Sequence, residues 1–207
     1  MTLLRDVVDA SAQVAATSSR SAKIATLADL LRELDDDEVA IAVAFLSGVP
    51  RQGRIGIGYA AVFAIDVAPA TQPSLSIGDV DRAIDAIQAD TGSGSAASRR
   101  ELLADLLGRA TDAEADFLRR LFTGQLRQGS LAGVMTAAVA KAAGVGLEVT
   151  RRALMLSGDL ARTAEIAMTG GEPALRAVGF EIFQPILPML ASTGATVADA
   201  VSSFEQA

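Results

Sequence analysis

Two Arg-Gln-Gly triplets are the residues of this sequence whose type and spacing could do chemistry. They are Arg51, Gln52 and Gly53 in the first half, and Arg127, Gln128 and Gly129 in the second. Each triplet follows a predicted helix end and precedes another predicted helix. An arginine beside a glycine at a helix N-terminus suits a phosphate oxygen, because unsatisfied backbone N–H groups point at the ligand and glycine lets it come close. A glycine cap beside a solvated arginine would give the same pattern once; two copies at equal spacing favour phosphate binding.

The two triplets belong to an internal repeat with an offset of 76 residues, as between Leu27 and Leu103. At this offset Leu27–Leu31 matches Leu103–Leu107 without a change. The register needs no gap through the triplets, and Lys23 lies on Arg99. The repeat predicts a pseudo-twofold domain, with halves at about 20–65 and 96–141, that carries two matching loops.

Two phosphate-binding loops on one face predict a duplex nucleic acid that is bound through its backbone. The candidate DNA-binding residues are Lys23, Arg51, Gln52, Gly53, Arg54, Arg99, Arg100, Arg127, Gln128 and Gly129. The formal net charge of -7 argues against this interpretation, since nucleic-acid-binding domains are usually basic. Local arginine clusters can still bind a polyanion. The hypothesis requires loops that are exposed, share one face and are not surrounded by carboxylates.

The composition excludes several classes of chemistry. The sequence has no Cys and no His, so disulfides, zinc fingers and thiol or imidazole catalysis are absent. We predict no catalytic residue and no metal site, and we interpret the acidic run Asp35–Glu38 as a helix N-terminus. No secretory signal is visible, and no apolar run approaches the about 20 residues of a membrane span. We therefore expect a cytoplasmic, monomeric protein without a membrane partner.

The hydrophobic periodicity predicts an all-α fold, a single domain over residues 1–207 with about 11–12 helices. The predicted helices span 3–15, 21–34, 37–47, 55–65, 79–89, 96–109, 112–123, 130–143, 147–156, 158–168, 172–180 and 196–205. The Pro-containing stretch Asp66–Ser76 is interpreted as the linker between the halves. The phenylalanines are predicted to be core residues rather than base-stacking platforms: Phe45, Phe63, Phe117, Phe122, Phe180 and Phe183.

Three segments carry a resemblance to a known family. They are Ala16–Ile24, the second loop Gly124–Gly129, and Pro185–Ala191, which reads Pro-Ile-Leu-Pro-Met-Leu-Ala. With these segments the sequence resembles, over nearly its whole length, the N-terminal helical DNA-binding domain of bacterial ATP-dependent DNA ligases. Residues 185–207 then resemble the start of the linker to the catalytic domain of those enzymes.

The resemblance implies a function and partners. It implies binding of nicked double-stranded DNA in the minor groove, mostly through the sugar-phosphate backbone, in DNA repair, replication and recombination. The other domains implied for the parent enzyme are a nucleotidyltransferase domain, which uses ATP, Mg²⁺ and the lysine of a Lys-x-Asp-Gly motif, and an OB-fold domain. These cofactors are implied for the parent enzyme and not for this chain.

The chain departs from the family pattern in lacking that motif. Its only lysines, Lys23 and Lys141, stand in other contexts, and the sequence stops 16 residues after Ala191. We expect this chain to be the DNA-binding part of a ligase, unable by itself to adenylate or seal DNA. Two alternatives remain open at this stage: an α-helical protein-interaction scaffold and a stand-alone enzyme that uses carboxylates alone.

Overall fold

The computed structural model describes residues 1–53, 55–126 and 131–181. Within them the chain forms ten helices and no β-strand, which confirms the predicted all-α fold class. The helices are α1 (Leu4–Ala16), α2 (Arg20–Glu33), α3 (Val39–Leu46), α4 (Tyr59–Phe63), α5 (Ile77–Ala89), α6 (Ser95–Arg109), α7 (Asp112–Phe122), α8 (Leu131–Ala143), α9 (Leu147–Ser157) and α10 (Leu160–Ala177). None of these described helices has the length and apolar character that crossing a membrane would require.

Two of the predicted helices are separated in the structure by a break within α10. The predictions over 158–168 and 172–180 fall on α10, which is interrupted at Gly171, where φ is 61° and ψ is -155°. Gly170 is needed next to this break, because a Cβ atom there would lie 2.5 Å from the Cβ atom of Ala174. The helix predicted at 196–205 lies outside the described residues.

Side-chain caps fix where several helices begin. Ser76 and Asp79 form a reciprocal capping box at the start of α5: Asp79 N–H donates to Ser76 Oγ at 3.0 Å, and Ser76 N–H donates to Asp79 Oδ2 at 3.0 Å. At the start of α7, Thr111 N–H donates to the Glu114 carboxylate at 2.8 Å. These contacts satisfy donors that a helix N-terminus leaves without an intrahelical partner.

One hydrophobic core runs through the bundle. Helix α2 packs along α8, while α10 packs against α3, α8 and α9. Phe45 and Phe117 are fully buried in this core, as predicted, and Phe122 is half-buried. The apolar faces of the helices therefore meet where their periodicity predicts.

The core prediction is wrong for two phenylalanines. Phe63 is 44% exposed and Phe180 is 77% exposed. Phe63 belongs to the five-residue α4, which buries only Val62, so the Phe63 ring lies outside against the ring of Tyr59 with centroids 4.5 Å apart. Phe180 follows the end of α10 and has no helix face to place it against the core. Phe183 lies outside the described residues.

The helix predicted at 55–65 is also shorter than expected. It spans only residues 59–63, because Gly53 and Gly56 adopt φ values of 73° and 71°, which break a right-handed helix. Buried Ile55 holds this extended segment against the core. No helix N-terminus therefore adjoins Arg51, whereas α8 starts two residues after Gly129 in the sequence.

Candidate nucleic-acid interface

The two loops after α3 and α7 begin with the same backbone geometry. Gly48 and Gly124 both adopt positive φ, 81° and 69°. Gly48 N–H donates to Phe45 O at 3.0 Å, and Gly124 N–H donates to Leu121 O at 3.2 Å. The next amide in each loop donates one residue further back, from Val49 to Ala44 O and from Gln125 to Arg120 O. Both helices thus end in the same glycine-capped form.

The first loop, residues 47–53, exposes an apolar residue to solvent. Val49 is 60% exposed, while its neighbours Gly48 and Pro50 are buried. A Cβ atom at Gly48 would lie 3.0 Å from the carbonyl oxygen of Leu126 in the second loop. The first loop therefore lies directly against the start of the second.

Both loops line one cleft, with a volume of about 570 Å³. Its walls come from the first loop, from the extended segment after it, and from the end of α7 with the start of the second loop: Gly48, Val49, Pro50, Gly53, Ile55, Gly56, Ile57, Gly58, Leu121, Phe122, Thr123 and Gly124. This surface, called the loop cleft below, meets two requirements of the DNA-binding hypothesis. The described parts of the loops share one face, and the first loop is exposed at Val49.

The side chain of Arg51 does not meet the third requirement. Its Nε donates to Asp81 Oδ1 at 3.1 Å, and its Nη2 makes a second, short contact with Asp81 Oδ2. The hydrogen bonds to Asp81 raise the pKa of Arg51 above its usual range, and the charges of Asp85 and Glu165 act in the same direction. The Arg51 guanidinium is therefore paired with the Asp81 carboxylate and lies near the negative charges of Asp85 and Glu165.

Gln52 and Gly53 are also held by interactions within the chain. Gln52 Nε2 donates to Asp81 Oδ1 at 3.0 Å and to Asp85 Oδ1 at 2.8 Å, and Gln88 Nε2 donates to the Gln52 carbonyl at 2.6 Å. Gly53 N–H donates to Pro50 O at 2.7 Å, which closes a turn. The first triplet is thus fastened to α5.

Sequence reasoning missed Asp81, Asp85 and Gln88. Their spacing of four and then three residues places them on one face of α5. This shared face is the sequence feature that could have indicated a common role. Three polar residues at helical spacing are common on exposed helix faces, so the pattern alone does not distinguish a loop anchor from a solvated surface.

The other predicted basic residues differ in their relation to the loop cleft. Arg99 is beside it, because a Cβ atom at Gly56 would lie 3.2 Å from Arg99 Nη1, and Arg99 Nε donates to Asp90 O at 2.7 Å. Lys23 is half-buried on α2 and Arg100 is exposed on α6; neither lines the cleft. Arg54, Arg127, Gln128 and Gly129 lie outside the described residues.

A second cleft of about 660 Å³ lies on the other side of the first loop. Val49, Pro50 and Gly53 line both clefts, so the first loop forms a ridge between them. The far wall of the second cleft is the start of α10, with Asp159, Arg162 and Glu165. Its carboxylates make this cleft a poorer surface for a polyanion than the loop cleft.

The fold and the loop cleft define an all-α domain in which two glycine-capped loops lie side by side. The family model described as DNA ligase N terminus matches residues 59–140, which include the second loop. The chain is 52% identical over 204 residues to a probable DNA ligase of Saccharopolyspora erythraea, covering 99% of this chain and 40% of that protein. It is 51% identical over 202 residues to one of Rhodococcus opacus and 49% identical over 199 residues to one of Mycolicibacterium gilvum.

These matches show that the chain is similar over nearly its whole length to part of probable DNA ligases, and that residues 59–140 match the DNA ligase N terminus family, as the sequence resemblance predicted. The matched regions cover 98% of this chain and 40% of the Rhodococcus opacus protein, and 96% and 39% for the Mycolicibacterium gilvum protein. The chain therefore spans about two fifths of the length of the curated relatives that it matches.

Proposed function

We propose that this chain is the non-catalytic, double-stranded DNA-binding part of an ATP-dependent DNA ligase. In this proposal it contacts the sugar-phosphate backbone in the minor groove around a nick and so supports nick sealing in the cytoplasm. The observation that carries the proposal is the loop cleft, in which two loops of a ligase-family chain line one accessible surface.

The two loops would supply different contacts. Glycines line much of the loop cleft and allow a close approach of DNA to the protein backbone. In the second loop, Arg127 and Gly129 lie four and two residues before the start of the 13-residue helix α8, and an arginine close to a helix N-terminus suits a phosphate. Arg99 adds a positive charge beside the first loop, while Lys23 and Arg100 would act from outside the cleft.

The proposal assigns the chemistry of sealing to other parts of the enzyme. ATP and Mg²⁺ would act in a nucleotidyltransferase domain, and an OB-fold domain would be the second protein partner. No residue of this chain is proposed to be catalytic, and one copy of the chain would bind one DNA duplex.

Binding to a labelled nicked duplex tests this function. Fluorescence anisotropy between about 50 and 200 mM salt gives both the affinity and its salt dependence, which reports the number of phosphates contacted. We expect Arg127→Ala to weaken binding and to reduce the slope of log K against log salt by about 0.9, the value for one lost duplex phosphate contact. Arg151→Ala is the matched control, because Arg151 is exposed on α9, pairs only with Glu148 in the described salt bridges, and does not line either cleft.

A protein-binding scaffold is the second candidate function. Tyr59 and Phe63 expose 56% and 44% of their surface as an adjacent pair, which is typical of protein-interaction surfaces. This alternative predicts no DNA binding even at about 50 mM salt, where electrostatic binding is strong. Such a result for the unmodified chain would overturn the DNA-binding proposal.

A further inference from the structure

The buried carboxylate of Asp81 has no role in the functions described so far. Asp81 is 5% exposed and lies on α5, away from the loop residues in sequence. It accepts hydrogen bonds from Arg51 Nε at 3.1 Å and from Gln52 Nε2 at 3.0 Å, in addition to its contact with Arg51 Nη2. A buried carboxylate is costly unless it is paired and hydrogen-bonded, so these contacts are what make its burial acceptable.

Arg51 could act in two ways in a DNA-binding loop. It could donate to a phosphate, or it could hold the loop in place. Two of its donor groups already face Asp81, and its side chain is 42% exposed whereas that of Asp81 is 7% exposed. Transfer of the guanidinium to a solvated phosphate would leave the Asp81 charge buried without its ion-pair partner, a strongly unfavourable exchange.

The rest of the network fastens the same loop to the same helix. Gln52 Nε2 donates to Asp85 Oδ1 at 2.8 Å, and Gln88 Nε2 donates to the Gln52 carbonyl at 2.6 Å. Together these bonds fix the first loop directly after Arg51, while Val49, two residues before it, is 60% exposed.

The sequence of α1 offers no counterpart of this network to the second loop. Helix α5, which holds the first loop, corresponds to α1 at an offset of 73 residues, as between Leu4 and Ile77. The residues of α1 that correspond to Asp81, Asp85 and Gln88 are Val8, Ala12 and Ala15. At these positions α1 offers the second loop neither a carboxylate nor an amide.

We infer that Asp81 is a positioning residue of the first DNA-binding loop, acting through Arg51 and Gln52, and that Arg51 is not a phosphate ligand. The inference rests on the proposed DNA-binding function and gives the two arginines of the repeat different roles. Arg51 orders the first loop, so that Val49 and the loop backbone meet the minor groove, while Arg127 contacts a phosphate.

The two roles of Arg51 predict opposite effects of Asp81→Asn on binding to the nicked duplex. If Asp81 positions the loop, Asp81→Asn loosens it, and binding weakens about ten-fold, the scale of ordering one or two long side chains on binding. If Asp81 only competes with DNA for Arg51, the same change frees the arginine and binding becomes tighter. Affinity is measured across the salt series, with Glu148→Gln, an exposed carboxylate paired with Arg151, as the matched control.

The salt dependence gives a second readout, which separates the loss of a phosphate contact from a loosened loop. We expect Arg51→Ala to weaken binding about as much as Asp81→Asn, with the salt slope of the unmodified chain, whereas Arg127→Ala lowers the slope by about 0.9. The double variant Arg51→Ala/Asp81→Asn should bind no more weakly than either single variant, because both changes break one interaction.

Variants that spare the buried charge keep the inference testable if Asp81→Asn fails to fold. Gln52→Ala and Gln88→Ala remove hydrogen bonds that hold the loop and leave Asp81 paired with Arg51. We expect weaker binding at an unchanged slope, together with faster tryptic cleavage after Arg51. Three results would overturn the inference but not the proposed function. They are tighter binding by Asp81→Asn, a lower salt slope for Arg51→Ala, and unchanged binding by both glutamine variants. Absence of binding by the unmodified chain would instead overturn the proposed function.

Discussion

Leu3 and Ser76 form an isolated antiparallel bridge at the point where α1 and α5 begin. Leu4 N–H donates to Leu75 O at 2.8 Å, and Ile77 N–H donates to Thr2 O at 3.1 Å. Leu4 corresponds to Ile77, and Thr2 corresponds to Leu75. The two hydrogen bonds are therefore equivalent, and exchanging the two segments converts one into the other. A local twofold axis therefore passes between Leu3 and Ser76.

The helix packing follows the same axis. Helix α1 packs on α2 and α7, and its counterpart α5 packs on α6 and α3. The corresponding residues Val7 and Val80 are both fully buried, as are Val14 and Ile87. The two loops follow α3 and α7, so this symmetry is what brings them to one side of the molecule.

The glycines that cap α3 and α7 offer a matched pair of variants. Both have positive φ, but a Cβ atom at Gly48 would lie 3.0 Å from a backbone oxygen, that of Leu126, whereas one at Gly124 would meet none of the described residues within 4 Å. Gly124→Ala should cost about 1 kcal/mol for the left-handed conformation alone. Gly48→Ala should cost clearly more, because backbone must also move. Urea unfolding of both variants measures the difference, and equal costs would contradict the close approach of the two loops.

A second pair of variants tests the different burial of two corresponding helices, α4 and α8. Tyr59 on α4 corresponds to Met135 on α8 at the offset of 76 residues seen between Leu27 and Leu103. Met135 is fully buried and Tyr59 is 56% exposed, because α8 packs along α2 whereas α4 packs on α7. Met135→Ala should cost about 2–5 kcal/mol, the range for a buried large-to-small change.

Tyr59→Ala serves as the comparison for Met135→Ala. It should change stability by about 0.5 kcal/mol or less, the usual range for a surface site. Thermal unfolding of the two variants under one set of conditions measures both effects. A large loss for Tyr59→Ala would mean that α4 is part of the core and that the aromatic pair is not an open surface.

The helices were largely predictable because their signals are local. The apolar period and the caps at Ser76 and Thr111 lie within a few residues of the boundaries that they determine. The segment after Gly53 was predicted wrongly, since its apolar residues have a helical spacing but its glycines adopt positive φ. Buried Ile55 then holds it extended, a tertiary effect that overrides the local pattern.

The loop residues of the candidate site were predictable from the sequence, but their partners on α5 were not. The repeated triplets are visible in the sequence, and Arg51 follows from them. The partner of Arg51 is not visible in the sequence, because Asp81 is 30 residues away and contacts Arg51 only through the packing of α5 against α3. The difference between the supports of the two loops was not predictable either. It consists of Asp81 on α5 and Val8 on α1, and these positions can be compared only after the structure shows that the two helices correspond.

The acid sensitivity of the fold should reside in two carboxylates near the twofold axis. Burial opposes the charge of Glu38, but hydrogen bonds from Thr2 N–H at 2.7 Å and Thr2 Oγ1 at 2.6 Å outweigh it and hold the pKa of Glu38 below its usual range. The Ser76 N–H, at 3.0 Å, is the main cause of the lowered pKa of Asp79, assisted by the Ser76 hydroxyl and Arg82. Both groups therefore release their protons more readily in the folded state than in the unfolded chain.

The sign of the resulting pH dependence follows from linkage. A carboxylate with a lowered folded-state pKa contributes its full stability above the unfolded pKa, about 4 for Asp and Glu, and loses it as the pH falls through the folded-state pKa. The free energy of unfolding should thus be level near pH 7 and decline below about pH 4. Glu38→Gln should lower stability at pH 7 by about 1–2 kcal/mol, the scale of a hydrogen bond to a charged group, and flatten the decline. Glu148→Gln, at an exposed ion pair, should leave the profile unchanged. Urea unfolding across this pH range measures both effects, and an acid decline as steep in Glu38→Gln as in the unmodified chain would show that Thr2 does not stabilise the charge of Glu38.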